Sequence, residues 1–229
     1  IVTVNQCQII HSDYRKVLDC VLDFCKRKQL PFYKKMKHIG YLRHLLVRRT
    51  SITNQMLVAV VTTSEKQWED QANWQELVEE LKGLDLDAKL CGVIHIINDG
   101  LADVVQSDET RVLYGEDVIY EELLGLRFKI STFSFFQTNS LGAEVLYSKA
   151  REYVGSTNDK MIFDLYSGTG TIAQILAPVA KKVVGVEIVA EAVEAAKENA
   201  ELNGLNNCEF IAGDVLKVID DIKDKPDLI

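Results

Sequence analysis

The sequence has little proline, no Cys-x-x-Cys motif and no long apolar run. Only three of its 229 residues are proline, and its five cysteines are irregularly spaced, which favours reduced thiols over a disulfide framework. No apolar stretch approaches the ~18 to 20 residues that a membrane span needs. Polar Asn5, Gln6 and Gln8 interrupt the first ten residues, so no signal peptide is expected. These absences favour a globular, cytoplasmic protein that has no membrane partner.

The chain begins with Ile1 rather than Met, and we therefore expect a piece of a longer translation product. With 47% hydrophobic and 26% charged residues, it can form one large domain or two small ones. Nothing in its composition indicates an obligate protein partner.

Positive charge is concentrated at the start of the chain. Residues 1–49 contain 11 Lys and Arg against 3 Asp and Glu, a net charge of +8, whereas residues 50–229 contain 15 against 31, a net charge of −16. Such segregation favours a surface that binds a polyanion such as RNA. A solvated basic face is the alternative. The candidate RNA-binding cations are Lys34, Lys35, Lys37 and Arg43.

Two patterns meet near residue 155. Residues 1–155 show a helix over 13–28, a hairpin of strands over 41–49 and 56–63, and further short strands and helices, which predicts a mixed α+β domain. From residue 156 to 229, buried strands alternate with amphipathic helices. This alternation predicts the first half of a doubly wound α/β sheet, which binds ligands at the carboxyl ends of its strands. The predicted strands are 161–165, 182–187, 208–211 and, opening a fourth, 227–229; the predicted helices are 171–176, 189–203 and 215–219.

Candidate ligand-binding residues lie at these predicted strand ends. Gly168 and Gly170 separate the first strand from its helix, where the missing Cβ lets a ligand approach backbone N–H groups. Glu187 ends the second strand, where a carboxylate can accept both ribose hydroxyls. Asp214 follows the third strand and can meet an adenine amino group. A nucleoside cofactor explains all four positions.

The glycine segment is compatible with more than one cofactor. Residues 168–173 fit the GxGxxA form of the dinucleotide fingerprint, which leaves NAD open. However, Asp164, Tyr166 and Ser167 occupy the space that a pyrophosphate needs, and an acid at 164 suits the ammonium group of a methionine moiety. The pattern therefore favours S-adenosylmethionine, with NAD and a ligand-free sheet as alternatives.

Five segments carry a family resemblance: residues 40–48 (GYLRHLLVR), 134–139 (SFFQTN), 163–170 (FDLYSGTG), 184–187 (VGVE) and 199–204 (NAELNG). Together they resemble the RNA uracil-5 methyltransferases, which act on rRNA and tRNA. The resemblance covers nearly the whole chain. It implies a class I methyltransferase sheet that uses S-adenosylmethionine, preceded by a central α+β domain, and methyl transfer to C5 of a uridine.

The resemblance also implies roles for individual residues. The positions that match the family's cofactor contacts are Gln137, Tyr166, Thr171, Glu187 and Asp214. Phe135 matches an aromatic residue near the flipped uridine. The alternatives are a strand-end amide bound to backbone for Gln137 and an ordinary core residue for Phe135.

The sequence departs from the family in two places. Members commonly hold a 4Fe–4S cluster with three clustered cysteines and a later one, and only Cys7 matches, as the later one. The family's nucleophilic cysteine and carboxylate base lie after the fourth strand, so we expect no catalytic residue in this chain. The alternative functions are an amino-directed nucleic-acid methyltransferase and a non-catalytic RNA-binding module.

Overall fold

The computed structural model describes residues 7–102, 107–155 and 158–229. Within these ranges it contains seven α-helices and nine β-strands, and none of the helices has the length and apolar composition needed to cross a bilayer. In chain order the elements are α1 (Ser12–Arg27), β1 (Leu42–Arg49), β2 (Gln55–Thr62), α2 (Lys66–Ala72), α3 (Trp74–Lys82), β3 (Lys89–Ile97), β4 (Glu109–Gly115), β5 (Val118–Leu123), β6 (Leu126–Ser131), α4 (Ser140–Val154), β7 (Met161–Leu165), α5 (Thr171–Leu176), β8 (Lys182–Glu187), α6 (Ala190–Leu202), β9 (Cys208–Ala212) and α7 (Val215–Val218).

The chain divides into two compact units. The first comprises the described residues of 1–50, 54–119 and 131–133, and the second those of 51–53, 120–130 and 134–229. The predicted boundary at residue 155 does not coincide with this division, because most of the β5–β6 hairpin and all of α4 lie in the second unit.

The first unit is built on a sheet of order β1-β2-β3-β4. The predicted hairpin of β1 and β2 is confirmed as an antiparallel pair. β2 and β3 are parallel, and α2 and α3 supply the crossover that parallel neighbours require. Apolar residues of α1 at a spacing of three and four, Val17, Val21 and Phe24, are buried in the core of this unit. Helix α2 was not predicted, because the polar residues of Lys66–Ala72 hide its helical period.

The second unit is built on a parallel sheet of order β7-β8-β9. Leu228 pairs in parallel with Ile162 on the free edge of β7, where the Phe163 N–H donates to the Leu228 carbonyl at 2.9 Å. The strand that opens at Leu228 therefore lies beside the first strand of the sheet. This is the strand order of a doubly wound fold, as the sequence predicts.

Two asparagines one helical turn apart, Asn199 on α6 and Asn203 at its C-cap, hold the β6 strand. Asn199 accepts a hydrogen bond from the Lys129 N–H at 2.7 Å. Asn203 accepts from the Arg127 N–H and donates to the Arg127 carbonyl, both at 2.8 Å. Because residues four apart share a helix face, the two amides meet alternate residues of the strand edge. This asparagine clamp, Asn199 with Asn203, explains why β6 belongs to the second unit.

Glu121 anchors the β5 strand within the same unit. Its side chain is fully buried, and its carboxylate accepts from the Ser51 N–H at 2.5 Å, the Ile52 N–H at 3.0 Å and the Ser140 hydroxyl at 2.9 Å. A buried charge is tolerated when donors surround it in this way. Glu121 therefore joins residues 51–53, β5 and α4.

Candidate cofactor site

The glycine loop between β7 and α5 is a tight turn with left-handed backbone. Tyr166, Gly168 and Gly170 have φ values of +64°, +55° and +70°. Such a φ is unfavourable for a residue with a side chain and concentrates at functional sites. The turn is closed by hydrogen bonds from the Ser167 N–H to the Val186 carbonyl at 3.0 Å and from the Gly170 N–H to the Ser167 carbonyl at 2.8 Å. Tyr166 is thereby left exposed at the strand end.

The two predicted loop glycines have different surroundings. A Cβ on Gly170 would lie 2.5 Å from the Phe210 ring, and one on Gly185 would lie 2.6 Å from the same ring. Gly170 is thus required by packing as well as by its φ. A Cβ on Gly168 would meet no atom within 4 Å, so Gly168 borders open space and is the better placed of the two for a ligand.

Glu187 lies beside the loop at the end of β8. One carboxylate oxygen accepts from the Gly168 N–H and the other from the Val189 N–H, both at 3.0 Å. Each carboxylate oxygen can accept about two hydrogen bonds, so each keeps capacity for a ribose hydroxyl. The structure therefore adds a role that the sequence did not indicate: Glu187 ties the glycine loop to the start of α6.

Asp164 is a half-buried acid near the end of β7, beside the loop. Its carboxylate accepts from the Ala173 N–H at 3.0 Å. Burial nevertheless raises the pKa of Asp164 to about 6, and the Ala173 hydrogen bond only partly offsets this. A carboxylate with a raised pKa and few partners at a strand end is the expected neighbour of a cationic ligand group.

Asp214 and Thr171 lie at helix starts. The Asp214 carboxylate accepts from the Leu216 N–H at 3.1 Å and so caps α7. Its other oxygen lies 3.6 Å from the Lys217 ammonium. Thr171 is the first residue of α5, directly after Gly170. Both residues are at the carboxyl edge of the sheet, as predicted, and the contact of Asp214 with adenine stays a prediction.

The segment 134–139 also reaches this edge of the sheet. The Thr169 hydroxyl donates to the Phe135 carbonyl at 3.4 Å, and the Phe135 ring is 72% exposed, which argues against a core residue. The pKa of Tyr147 is raised, chiefly by burial. A hydrogen bond with Gln137 partly offsets this effect, and the charge of Asp164 adds to it. Gln137, Tyr147 and Asp164 are therefore neighbours. Tyr147 was missed because a tyrosine in a helix carries no sequence signal of its own.

One buried polar atom of the loop lacks a partner. The Ser167 hydroxyl is buried and makes no hydrogen bond within the part of the chain that the structure describes. An unsatisfied buried hydroxyl is unfavourable. With the acids at positions 164, 187 and 214, it completes a donor and acceptor set that fits a nucleoside carrying a cationic tail.

The predicted RNA-binding cations lie in the first unit. Lys34, Lys35 and Lys37 are exposed on a turn before β1. Arg43 instead holds the loop after β3, because its guanidinium donates to the carbonyls of Asn98 and Gly100 at 2.7 Å. That structural role was not predicted, and any RNA contact by Arg43 would be additional to it.

The residues of the chain do not fit an iron–sulfur cluster. Such a cluster needs four thiolates. The one group of three or more possible metal ligands among the described residues is His11, Asp13 and Asp87, which includes no cysteine. Burial raises the pKa of the Cys20, Cys25 and Cys208 thiols to about 11, so these three are protonated at neutral pH. Cys7 stays a predicted ligand only in a longer protein.

Comparison with known proteins points to the methyltransferases. A family model described as a methyltransferase domain matches residues 156–229. The chain is 52% identical over all 229 residues to a Clostridium tetani protein named an uncharacterized RNA methyltransferase, covering 49% of that protein. It is 51% identical to a protein of the same description from Clostridium acetobutylicum, again covering 49% of it. The chain thus spans about half the length of the relatives it matches.

A solved structure gives the same result. The crystal structure of Pyrococcus abyssi tRNA (uracil-54, C5)-methyltransferase in complex with S-adenosyl-L-homocysteine matches with a TM-score of 0.75 and 26% identity, over 93% of this chain and 50% of that one. The chain therefore has the fold of the first half of a methyltransferase sheet, preceded by a mixed α+β region, and its resemblance to the RNA methyltransferases is confirmed.

Proposed function

We propose that the chain is the cofactor-binding part of an RNA methyltransferase that transfers a methyl group from S-adenosylmethionine to C5 of a uridine in rRNA or tRNA. The observation that carries the proposal is the arrangement of Glu187 beside Gly168, with open space on the Cα of that glycine. The names of the relatives support RNA as the substrate. The likeness to a uracil-54 C5 enzyme supports the position of methylation.

The cofactor would lie along the carboxyl edge of the sheet. Glu187 would accept the ribose hydroxyls, Asp214 the adenine amino group, and Asp164 with Gln137 would meet the methionine moiety. Tyr166, Gly168, Gly170 and Thr171 would form the wall of the loop. An ammonium group beside Asp164 would return the pKa of that carboxyl toward its ordinary value, because a nearby cation favours the charged form.

The chemistry at C5 requires groups beyond this site. Uracil C5 is a poor nucleophile, so a thiolate must add at C6 before the methyl group is transferred, and a base must then remove the C5 proton. The pKa of about 11 for Cys20, Cys25 and Cys208 makes these thiols unsuitable at neutral pH. The resemblance assigns both groups to segments outside residues 1–229, and the proposal keeps that assignment.

Binding of the cofactor can be measured on the chain itself. Calorimetry with S-adenosylhomocysteine should show one site, and an excess of NAD should leave that binding unchanged. Competition by NAD would favour the dinucleotide alternative. Absence of any nucleoside binding would contradict the proposed site.

Methylation is tested on the full gene product that contains this chain. After incubation with labelled S-adenosylmethionine and unmodified rRNA or tRNA, mass spectrometry of the nucleosides should detect 5-methyluridine. An N-methylated base would instead indicate the amino-directed alternative. Cofactor binding without turnover on any RNA would indicate the non-catalytic module.

A further inference from the structure

A short basic hairpin precedes β1. It comprises residues 32–41 and is closed by hydrogen bonds from the Tyr33 N–H to the Leu42 carbonyl at 2.8 Å and from the Lys34 N–H to the Ile39 carbonyl at 2.7 Å. A Cβ on Gly40 would lie 2.4 Å from the Phe32 carbonyl oxygen, so the base of the hairpin admits only glycine there. This hairpin is therefore a defined structure with a fixed base.

The base is further fixed by Arg43. Its guanidinium carbon lies 4.6 Å from the centre of the Tyr33 ring, a cation–π contact. The same guanidinium is bound to the loop after β3. The tip beyond this base is exposed, and Met36 there is 94% exposed.

The hairpin keeps positive charge, whereas several cations elsewhere in residues 11–49 are paired with acids. Neighbouring cations are held in ion pairs, namely Lys16–Asp13, Lys26–Asp23, Arg27–Glu80, Lys28–Glu76 and Arg49–Asp13. Lys34 and Lys37 have no acidic partner among the residues that the structure describes. The charges of Lys34 and Lys37 are therefore available to a ligand.

An apolar cavity of about 120 Å³ lies next to the hairpin, between α1 and β1. Phe32 belongs to both the hairpin and the cavity wall, and its ring is 54% exposed. Leu18, Leu22 and Leu45 form other parts of the wall. Ordinary ligand sites are several times larger, so this cavity suits a single flat ring rather than a helix or a cofactor.

Arg43 is a further residue of the cavity wall, and one of its polar atoms has no acceptor among the described residues. Arg43 lines the cavity, and its Nε–H is buried with no hydrogen-bond partner in the described part of the chain. A buried donor without an acceptor is unfavourable.

We propose that the basic hairpin and this cavity bind single-stranded RNA, with phosphates on Lys34 and Lys37 and one unstacked base held against Phe32 in the cavity. The proposal rests on the proposed function, because that function makes RNA the polyanion. Single-stranded RNA is recognised in this way elsewhere, by cations along the backbone and aromatic rings under the bases. Charge complementarity favours RNA over a protein partner.

The experiment measures binding of a fluorescent single-stranded RNA to the 229-residue chain as a function of salt. Phe32→Ala should weaken binding about fivefold to a hundredfold at every salt concentration, because a base loses its stacking partner. Leu22→Trp, which fills the cavity from a half-buried position, should weaken binding in the same way. Lys34→Glu with Lys37→Glu should also lower the slope of log affinity against log salt by about 1.4, the value expected for two lost phosphate contacts on a single strand.

Matched controls separate these effects from general ones. Lys149→Glu with Lys197→Glu makes the same change of net charge on exposed faces of α4 and α6 and should leave the slope unchanged. Ile52→Ala removes another exposed apolar side chain and should leave affinity unchanged. Circular dichroism of each variant confirms that it is folded.

A photo-crosslink identifies the base directly. RNA that carries 5-iodouridine should attach to a peptide containing Phe32. Wild-type affinity in both Phe32→Ala and Leu22→Trp, or crosslinks confined to residues 134–170, would overturn the proposal while leaving the proposed function intact. Self-association of the chain that these two variants abolish, with RNA affinity unchanged, would identify the surface as a protein interface instead. Failure of the wild-type chain to bind any RNA, with the full gene product also inactive, would remove both proposals.

Discussion

Carboxylate groups have different partners in the two compact units. In the first unit they mostly pair with cations, as Glu80 does with Arg27 and Glu76 with Lys28. At the strand ends of the second unit they accept from backbone N–H groups, as Glu187 does from Gly168 and Val189. A cation neutralises the acid, whereas an amide leaves its charge in place. Because their charge is not cancelled by a cation, the carboxylates at these strand ends suit a ligand with a cationic tail.

The largest effect is expected for the reaction itself. The 229-residue chain should bind S-adenosylhomocysteine but transfer no methyl group to RNA, because the resemblance assigns the nucleophilic cysteine and the base to none of its residues. Incubation with labelled cofactor and unmodified tRNA or rRNA measures this. Labelled 5-methyluridine would mean that one of the five cysteines is the nucleophile.

The next effect concerns Glu121, the buried acid of the second unit. Glu121→Ala should lower the free energy of unfolding by about 3 kcal/mol, because several donors lose a charged acceptor. Urea denaturation measures the change, and Glu122→Ala, at an exposed neighbouring position, is the matched control. A loss no larger than that of the control would show that water replaces the carboxylate without cost.

The cofactor contact of Glu187 is tested with two variants, since the carboxylate also supports the glycine loop. Glu187→Ala should weaken S-adenosylhomocysteine binding by about 1 to 3 kcal/mol. Glu187→Gln keeps an acceptor for the loop and should lose the part that depends on the charge at the ribose. Calorimetry measures both, and Glu191→Ala on the exposed start of α6 is the control.

Equal affinity in wild type, Glu187→Ala and Glu187→Gln, with unchanged circular dichroism, would place the ribose elsewhere. A loss in Glu187→Ala alone would mean that the carboxylate acts through the loop only.

Asp164 provides a pH-dependent test of the same comparison. Its pKa of about 6 lies above the ordinary value, so ionisation of Asp164 lowers the free energy of unfolding. This loss of stability is absent below about pH 4, grows between pH 4 and 6 and is complete above pH 6. Asp164→Asn removes the charge and keeps an acceptor for the Ala173 N–H. The variant should therefore be more stable than wild type by about 1 to 2 kcal/mol at pH 7.5, and the difference should disappear below about pH 4.

Urea denaturation at both pH values measures this, and calorimetry should show weaker cofactor binding by the same variant. A variant that is less stable than wild type at pH 7.5 would mean that Asp164 is already stabilised as an anion without ligand.

The smallest effect is expected for the exposed ion pairs of the first unit. Arg27→Ala should change the free energy of unfolding by no more than about 0.5 kcal/mol, because water screens exposed pairs. Urea denaturation in low and high salt measures it. A loss above about 1.5 kcal/mol would show that pairing with Glu80 is structural and would weaken the contrast between the units.

The sequence predicts the methyltransferase sheet better than the region before it. The predicted bounds of α5 and β8 agree with the structure, because short buried strands and amphipathic helices alternate without interruption there. The start of the fourth strand is also confirmed, by the pairing of Leu228 with Ile162. In the first unit, α2 was missed, since polar residues mask its period.

The division of the chain was harder to predict for a different reason. The attachment of β6 to α6 depends on side-chain hydrogen bonds of Asn199 and Asn203, and no local pattern reveals the partner of an asparagine. The same limit applies at the site. The positions of Glu187 and Asp214 at strand ends were predicted from the sequence. The hydrogen bond of Glu187 to the loop and the proximity of Tyr147 to Gln137 arise only from the fold.

The asparagine clamp contains a residue that is prone to chemical change. Asn203 precedes Gly204, and an asparagine before glycine is prone to deamidation, because the next backbone nitrogen can attack the side-chain amide unhindered. In the fold that amide is held at both ends by the backbone of Arg127. An aspartate formed while the chain is unfolded keeps the acceptor and loses the donor, so it meets the Arg127 carbonyl with oxygen against oxygen. Each period of unfolding therefore increases the fraction of chains with aspartate at position 203. After refolding, these chains lack one of the hydrogen bonds that hold β6.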